Sequence, residues 1–120
     1  MKEPGMIIHK GKSVYCMDFT DLKDETEIKR IIDTSAEFIR SRPLKSVLSL
    51  TDLHGMHFNS TIKDLFSTFI SGNKPHIKAS AVVGLSGLQR IIYNGIMKIT
   101  GRDIRSFDNI NVAKDWLTSK

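Results

Sequence analysis

Three stretches of the chain hold residues whose types and spacing could do chemistry. The first is VVGLSGLQR, where Gly84 and Gly87 follow an apolar run and precede a helical pattern. A dinucleotide-binding turn needs three glycines, G-x-G-x-x-G, the middle one letting backbone approach a pyrophosphate. That middle glycine is absent. A P-loop needs lysine and a hydroxyl residue after its last glycine, whereas Leu88 and Gln89 follow Gly87. What the residues do satisfy is a capping box, Ser86 with Gln89 three positions on, in which two side chains serve helix-end amides reciprocally. A helix start can also hold an anion on its free amides, so Gly84, Ser86 and Gly87 are candidate anion-binding residues beside that structural role.

The second stretch is the loop DLHGMHFNS, which sets His54 and His57 near Asp52. A catalytic zinc centre takes three protein ligands, and no third residue has a spacing that selects it. The loop therefore reads as two solvated histidines, with no metal expected. Cys16 is the single cysteine and lies in an extended pattern, where a buried, inert thiol is the usual state. Asp18 and Asp52 end extended segments and would line a crevice at the carboxyl ends of the strands, where open α/β sheets hold ligands. With Gly84 and Ser86, that crevice is the place for a small anionic molecule or a lipid headgroup. The third stretch is HFNST. Asn59, Ser60 and Thr61 are all preferred helix-cap types, and Thr61 with Asp64 makes a near-capping-box pair. None of the three assembles a nucleophile, a base and oxyanion donors, so an enzyme is not expected.

These residues need elements to hold them. MIIHKGKSVYCMDF reads as a hairpin around Lys10-Gly11-Lys12, with Val14, Tyr15, Met17 and Phe19 suited to a pleated surface. In DETEIKRIIDTSAEFIRS, Asp24 and Glu27 have capping-box spacing, and Ile28, Ile31, Ile32, Ser35 and Ile39 trace one helical face. Pro43 stops this helix, because its ring disfavours helical geometry at Arg42. LKSVLSLTD is a short strand ending at Asp52. STIKDLFSTFISGN puts Ile62, Leu65, Phe66, Phe69 and Ile70 on one stripe, with Gly72 as the glycine just past the helix end.

IKASAVVG is the next strand, and its run from Ala79 to Val83 has no charge, as in a strand covered on both faces. The helix after it presents Leu88, Ile91, Ile92, Gly95, Ile96 and Ile99, with Gly95 allowing close helix–sheet contact and Gly101 ending it. DIRSF is a last strand, and NINVAKDWLTSK a last helix with Val112, Ala113, Trp116 and Leu117 inward. Strands alternating with helices imply right-handed crossovers. The expected fold is α/β: a mainly parallel sheet of four to five strands with an N-terminal antiparallel edge, plus four helices, in one domain over residues 1–120.

At 120 residues, 40% of them hydrophobic and 26% charged, the chain can bury one core without disulfides or metal. No apolar run approaches the roughly 20 residues of a membrane span, so an integral membrane protein is not expected. MKEPGMIIHK lacks an apolar signal core, and a cytoplasmic location is expected. The net charge of +5 favours anionic partners. The basic residues are scattered among acidic ones, as in DLKDETEIKR, without a basic tract or aromatic ladder, so nucleic acid is not an expected partner.

The stretch KASAVVGLSGLQRIIYNGIMKITGRDIRSFDNINVAKDWL resembles the C-terminal half of the small SpoIIAA-like proteins of the STAS superfamily, which are also compared with lipid-binding CRAL-TRIO domains. Its resembling pieces are the turn at Gly84 and Gly87, TGRDIRSFDN and the terminal AKDWL. The resemblance implies no cofactor and no reaction, and points to a protein partner, with a homodimer also allowed. In the anti-sigma-factor antagonists of that superfamily, a serine in an Asp-Ser-Ser-Gly pattern at a helix start is phosphorylated by a partner kinase. The resemblance places Asn59 at the aspartate, Ser60 at the phospho-acceptor, Thr61 at the second serine and Ile62 at the glycine. It thus implies a partner switch at Ser60 or Thr61, with His54, His57, Phe58 and Asn59 on the partner surface.

Overall fold

The structure is a computed structural model that describes residues 3–120, apart from the side chains of Leu88 and Ile99. The expected inward placement of Leu88 and Ile99 lies outside the described residues. Strands β1 (Gly5–His9) and β2 (Lys12–Asp18) form the expected hairpin. Its two-residue turn has φ of 49° at Lys10 and 79° at Gly11, the mirror-image turn whose twist matches that of the strands. Then follow α1 (Glu25–Arg40), β3 (Val47–Asp52), α2 (Ser60–Asn73), a 3-10 turn (Lys74–His76), β4 (Ile77–Val83), α3 (Gly87–Thr100), β5 (Ile104–Phe107) and α4 (Ile110–Thr118). Among the described residues, no helix is long and apolar enough to cross a membrane.

Each strand lies beside its predecessor, in the order β1-β2-β3-β4-β5, the first pair antiparallel and the rest parallel. Right-handed crossovers that always step the same way place their helices on one face. Accordingly α1, α2 and α3 cover one side of the sheet, and α4 covers the other. The two-residue period of the strands sorts the core between them. Tyr15, Met17, Val82 and Ile104 pack toward the three helices. Val14, Leu48, Leu50, Ala81 and Val83 pack with Ala113 and Leu117 of α4.

All of the expected stripe of α1 is buried, from Ile28 to Ile39. Its capping box is not made. Asp24 accepts from the Thr26 amide, while Glu27 turns outward to Arg30, whose Nη2 donates to it at 2.7 Å. Gly72 does not end α2, which runs on through Asn73. A Cβ there would collide with the Arg40 guanidinium, so the glycine makes room for that side chain. Arg40 in turn donates to Asn73 Oδ1 at 3.2 Å. Gly101 does end α3, in the left-handed conformation at φ 71°.

Two other stripes are rotated from expectation. In α3, Ile91 is 70% exposed because Tyr93 takes the core position. Residues two apart on a helix point nearly opposite ways, so burying Tyr93 turns Ile91 to solvent. Gly95 is exposed too, and among the described residues no atom lies close to where its Cβ would stand, so no close contact with the sheet calls for glycine there. In α4, Ala113 and Leu117 alone of the expected four are buried; Val112 is 54% exposed. Trp116 is half-buried against Phe107 at 5.5 Å, with Lys120 Nζ 4.7 Å from its ring centre.

Candidate functional site

The carboxyl ends of β2, β3 and β4 deliver three loops to one end of the sheet, and backbone bonds knit them together. The Phe19 amide donates to the Asp52 carbonyl and the Leu53 amide to the Val83 carbonyl, both at 2.9 Å. The amides of Asp21 and His57 reach the carbonyls of His54 and Leu22, each at 2.8 Å. These bonds fix the loop 53–59 as a platform, although it has no regular secondary structure of its own.

On this platform Asp52, His54 and Gly84 come together. Asp52 Oδ1 accepts from the His54 amide at 3.1 Å and lies 2.7 Å from its ring Nδ1. Gly84 has φ 83°, and a Cβ there would stand 2.5 Å from the His54 nitrogen. Glycine is needed on both counts, positive φ and close approach. What crowds this turn is His54, through its backbone nitrogen and its ring.

Asn59 is the cap of α2. Its Oδ1 accepts from the Ile62 amide at 2.9 Å, while its Nδ2 donates to Glu25 and lies 3.2 Å from His57 Nε2. Ser60 and Thr61 follow as exposed residues of the first turn, and neither is the cap. Phe58 is half-buried and stacks on Phe66, with ring centres 6.3 Å apart, so it anchors the loop to the core. Thr61 and Asp64 also border a cleft of about 400 Å³ between α1 and α2, where Lys29, Asp33 and Arg40 meet Ile32 and Leu65.

The start of α3 is built differently. The capping box of Ser86 and Gln89 is present, and in its Gln89 half the Ser86 amide donates to Oε1 at 3.1 Å. Gln89 is buried, and its Nε2 also donates to the Met56 carbonyl at 3.0 Å, tying α3 to the loop before α2. Sequence reasoning found the first bond and missed the second, since nothing local pairs Gln89 with a carbonyl 33 residues away. Gly87 is exposed and open space surrounds its Cβ direction.

Asp18 and Asp52 stand opposite each other in adjacent strands and border a recess of about 220 Å³ with Cys16 and Lys114. Gly84, Ser86 and Gly87 are not in its lining. Period two explains the split: Asp18 and Asp52 share the α4 side of the sheet with Cys16 and Leu50, whereas Ser86 leads into α3 on the other side. Burial pushes the Cys16 thiol pKa up; Lys114 pulls it down by less, and Asp18 adds a smaller upward push. That makes the thiolate scarcer and the sulfur a poorer nucleophile. Among the described residues, no three His, Cys, Asp or Glu side chains cluster as a metal would require.

The SpoIIAA-like family model matches this chain over residues 14–118. No curated protein and no solved structure matches it.

Proposed function

The chain belongs to the SpoIIAA-like family, and from that premise we propose that it is a regulatory, partner-binding domain whose contact surface is the loop and first helical turn from His54 to Thr61. The observation that supports this most is the division of labour at the start of α2. Asn59 performs the capping, and among the described residues the side chain of the exposed Ser60 beside it has no hydrogen-bond partner. A hydroxyl with no structural task, at the first turn of a helix on a knitted platform, is the kind a modifying partner can reach. The cleft between α1 and α2 continues the same surface past Thr61 and mixes charged with apolar lining, as protein interfaces do.

The charge logic of a switch follows. Phosphate on Ser60 would carry about −1.5 to −2 charges. It would sit at the positive end of the α2 dipole, which favours a negative group there by about 0.3 to 1 kcal/mol. The same charge in a contact surface opposes an acidic partner, and like-charge juxtaposition costs several kcal/mol. Modification would therefore leave the domain folded and change what it binds.

A second reading, ligand binding, draws on the recess beside Asp18 and Asp52. Two carboxylates against one lysine suit a neutral or cationic molecule better than an anion or a phosphate headgroup.

The test is capture of partners from the native lysate by the wild type, Ser60→Ala and Ser60→Asp, after thermal melts have shown each to be folded. Ser60→Asp is expected to melt like the wild type and to lose its partner, while Ser60→Ala keeps it. Equal recovery of the same partners by wild type and Ser60→Asp would overturn the switch.

A further inference from the structure

A separate polar cluster lies inside the molecule, between the sheet and helices α2 and α3. It surrounds a cavity of about 20 Å³ whose polar lining is Ser49, Thr51, Asn73, Ser80, Tyr93 and Arg102. Arg102 is the charged residue of this lining, and no carboxylate shares it. Its Nη1 donates to the Ile70 carbonyl and its Nη2 to Ser80 Oγ, both at 2.8 Å. Burial holds the guanidinium pKa below its usual value. A cation in such a place, without a counter-charge, is expensive.

The donors around the cavity outnumber their protein acceptors. Ser49 and Ser80 hydroxyls lie 2.6 Å apart and serve each other. Asn73 Oδ1 accepts from Arg40, which leaves its amide N–H groups. The hydroxyls of Thr51, 6% exposed, and Tyr93, 2% exposed, have no hydrogen-bond partner among the described residues. Among the described residues, every side-chain polar atom that is sealed from open space has a partner. The two unpaired hydroxyls therefore keep some accessible surface, and both residues line the cavity. A residue with a guanidinium, one with an amide and two with hydroxyls thus line one cavity, with one positive charge among them.

We propose that this cavity is a binding site for a single monatomic anion of chloride size, held by Arg102, Tyr93, Thr51 and Asn73. A water needs about 10–15 Å³ of such space, so the cavity admits one particle of that scale or slightly larger and excludes a tetrahedral oxyanion. Charge and donor count select an anion over water. A water could donate to the hydroxyl oxygens of Thr51 and Tyr93, but neither the guanidinium nor the Asn73 amide N–H groups can accept, and a water brings no charge to offset the buried cation.

Arg102 has a structural task as well, because the Ile70 carbonyl is among the last of α2. The experiment must not depend on removing it. The protein is melted at constant ionic strength while sodium gluconate, too large to enter, is exchanged for sodium chloride. Binding to the native state alone raises the melting temperature by mass action, so chloride is expected to raise it. Tyr93→Phe keeps the ring and removes one donor. It is expected to weaken the apparent chloride affinity about tenfold or more, since the lost bond is to a charged acceptor. Its melt in gluconate should remain two-state. Crystals grown in bromide should show an anomalous peak within hydrogen-bond distance of Arg102. Identical melts in the two salts with only a water in the cavity would overturn the proposal, and so would a chloride response undiminished in Tyr93→Phe.

Discussion

The helices after β3 and β4 begin side by side at the same end of the sheet and satisfy their first amides in contrasting ways. At α3 the polar groups are committed to the fold: the Ser86 amide is bound by Gln89, and Gln89 also holds the Met56 carbonyl. The approach to that helix is tight, with Gly84 pressed against His54. At α2 one side chain, Asn59, does the capping, and Ser60 and Thr61 are exposed. The difference is that the fold takes up the polar groups at α3 and leaves Ser60 at α2 free for the modification proposed above. The glycine turn, the more motif-like of the two in sequence, is the one whose groups are taken.

Four substitutions break or sharpen that contrast, and the largest effect is expected at Gly84. Gly84→Ala places a Cβ against the His54 backbone at a positive φ, combining left-handed strain of about 1–2 kcal/mol with overpacking of about 1–3 kcal/mol. Urea unfolding should show a loss of about 3 kcal/mol in total. A variant as stable as the wild type would mean that the turn is looser than its geometry says.

Gln89→Ala comes next. It orphans the Met56 carbonyl and frees the Ser86 amide, and one buried unsatisfied group costs about 1–3 kcal/mol. Hydrogen exchange should quicken in the loop 53–59 as well as in the first turn of α3, because the lost bond joined them. Exchange confined to α3 would argue against that tie.

The smallest effects separate neighbours. Asn59→Ala should lower stability by about 1 kcal/mol, the usual worth of an N-cap. Ser60→Ala should stay within about 0.5 kcal/mol of the wild type, as surface changes do. The reverse order, with Ser60 the costlier loss, would return the hydroxyl to the fold and weaken the case for a modification site.

Much of the fold was legible because period and punctuation are local. Ile28 through Ile39 repeat at helical spacing, and Lys10-Gly11 announces its turn; both appear as expected. What escaped depends on partners distant along the chain. Gly72 looks like a helix terminator until Arg40, from α1, is found occupying its missing side chain. Ile91 reads as core until Tyr93, nearly opposite it on the helix, is found taking the core side. At the candidate site, the residues of the strand-end crevice were legible by type, but their separation onto two sides of the sheet was not. It follows from which way each residue points at its strand end. The donor cavity was illegible altogether, since Thr51, Asn73, Tyr93 and Arg102 come from three elements and a loop.

The stepwise strand order also has a consequence for how the chain is made. Because β1 to β5 pair in the order in which they are synthesised, each new strand emerges beside an edge already waiting for it, and the sheet can grow during translation. The covering of its two sides is not simultaneous. Helices α1 to α3 arrive between the strands and close their side as it forms. The opposite side, with Val14, Leu48, Leu50, Ala81 and Val83, stays bare until Ala113 and Leu117 of α4 have left the ribosome. For most of synthesis the nascent domain therefore shows a sticky apolar sheet face, the kind of surface that draws chaperones or neighbouring chains. The few residues of α4 end that exposure last.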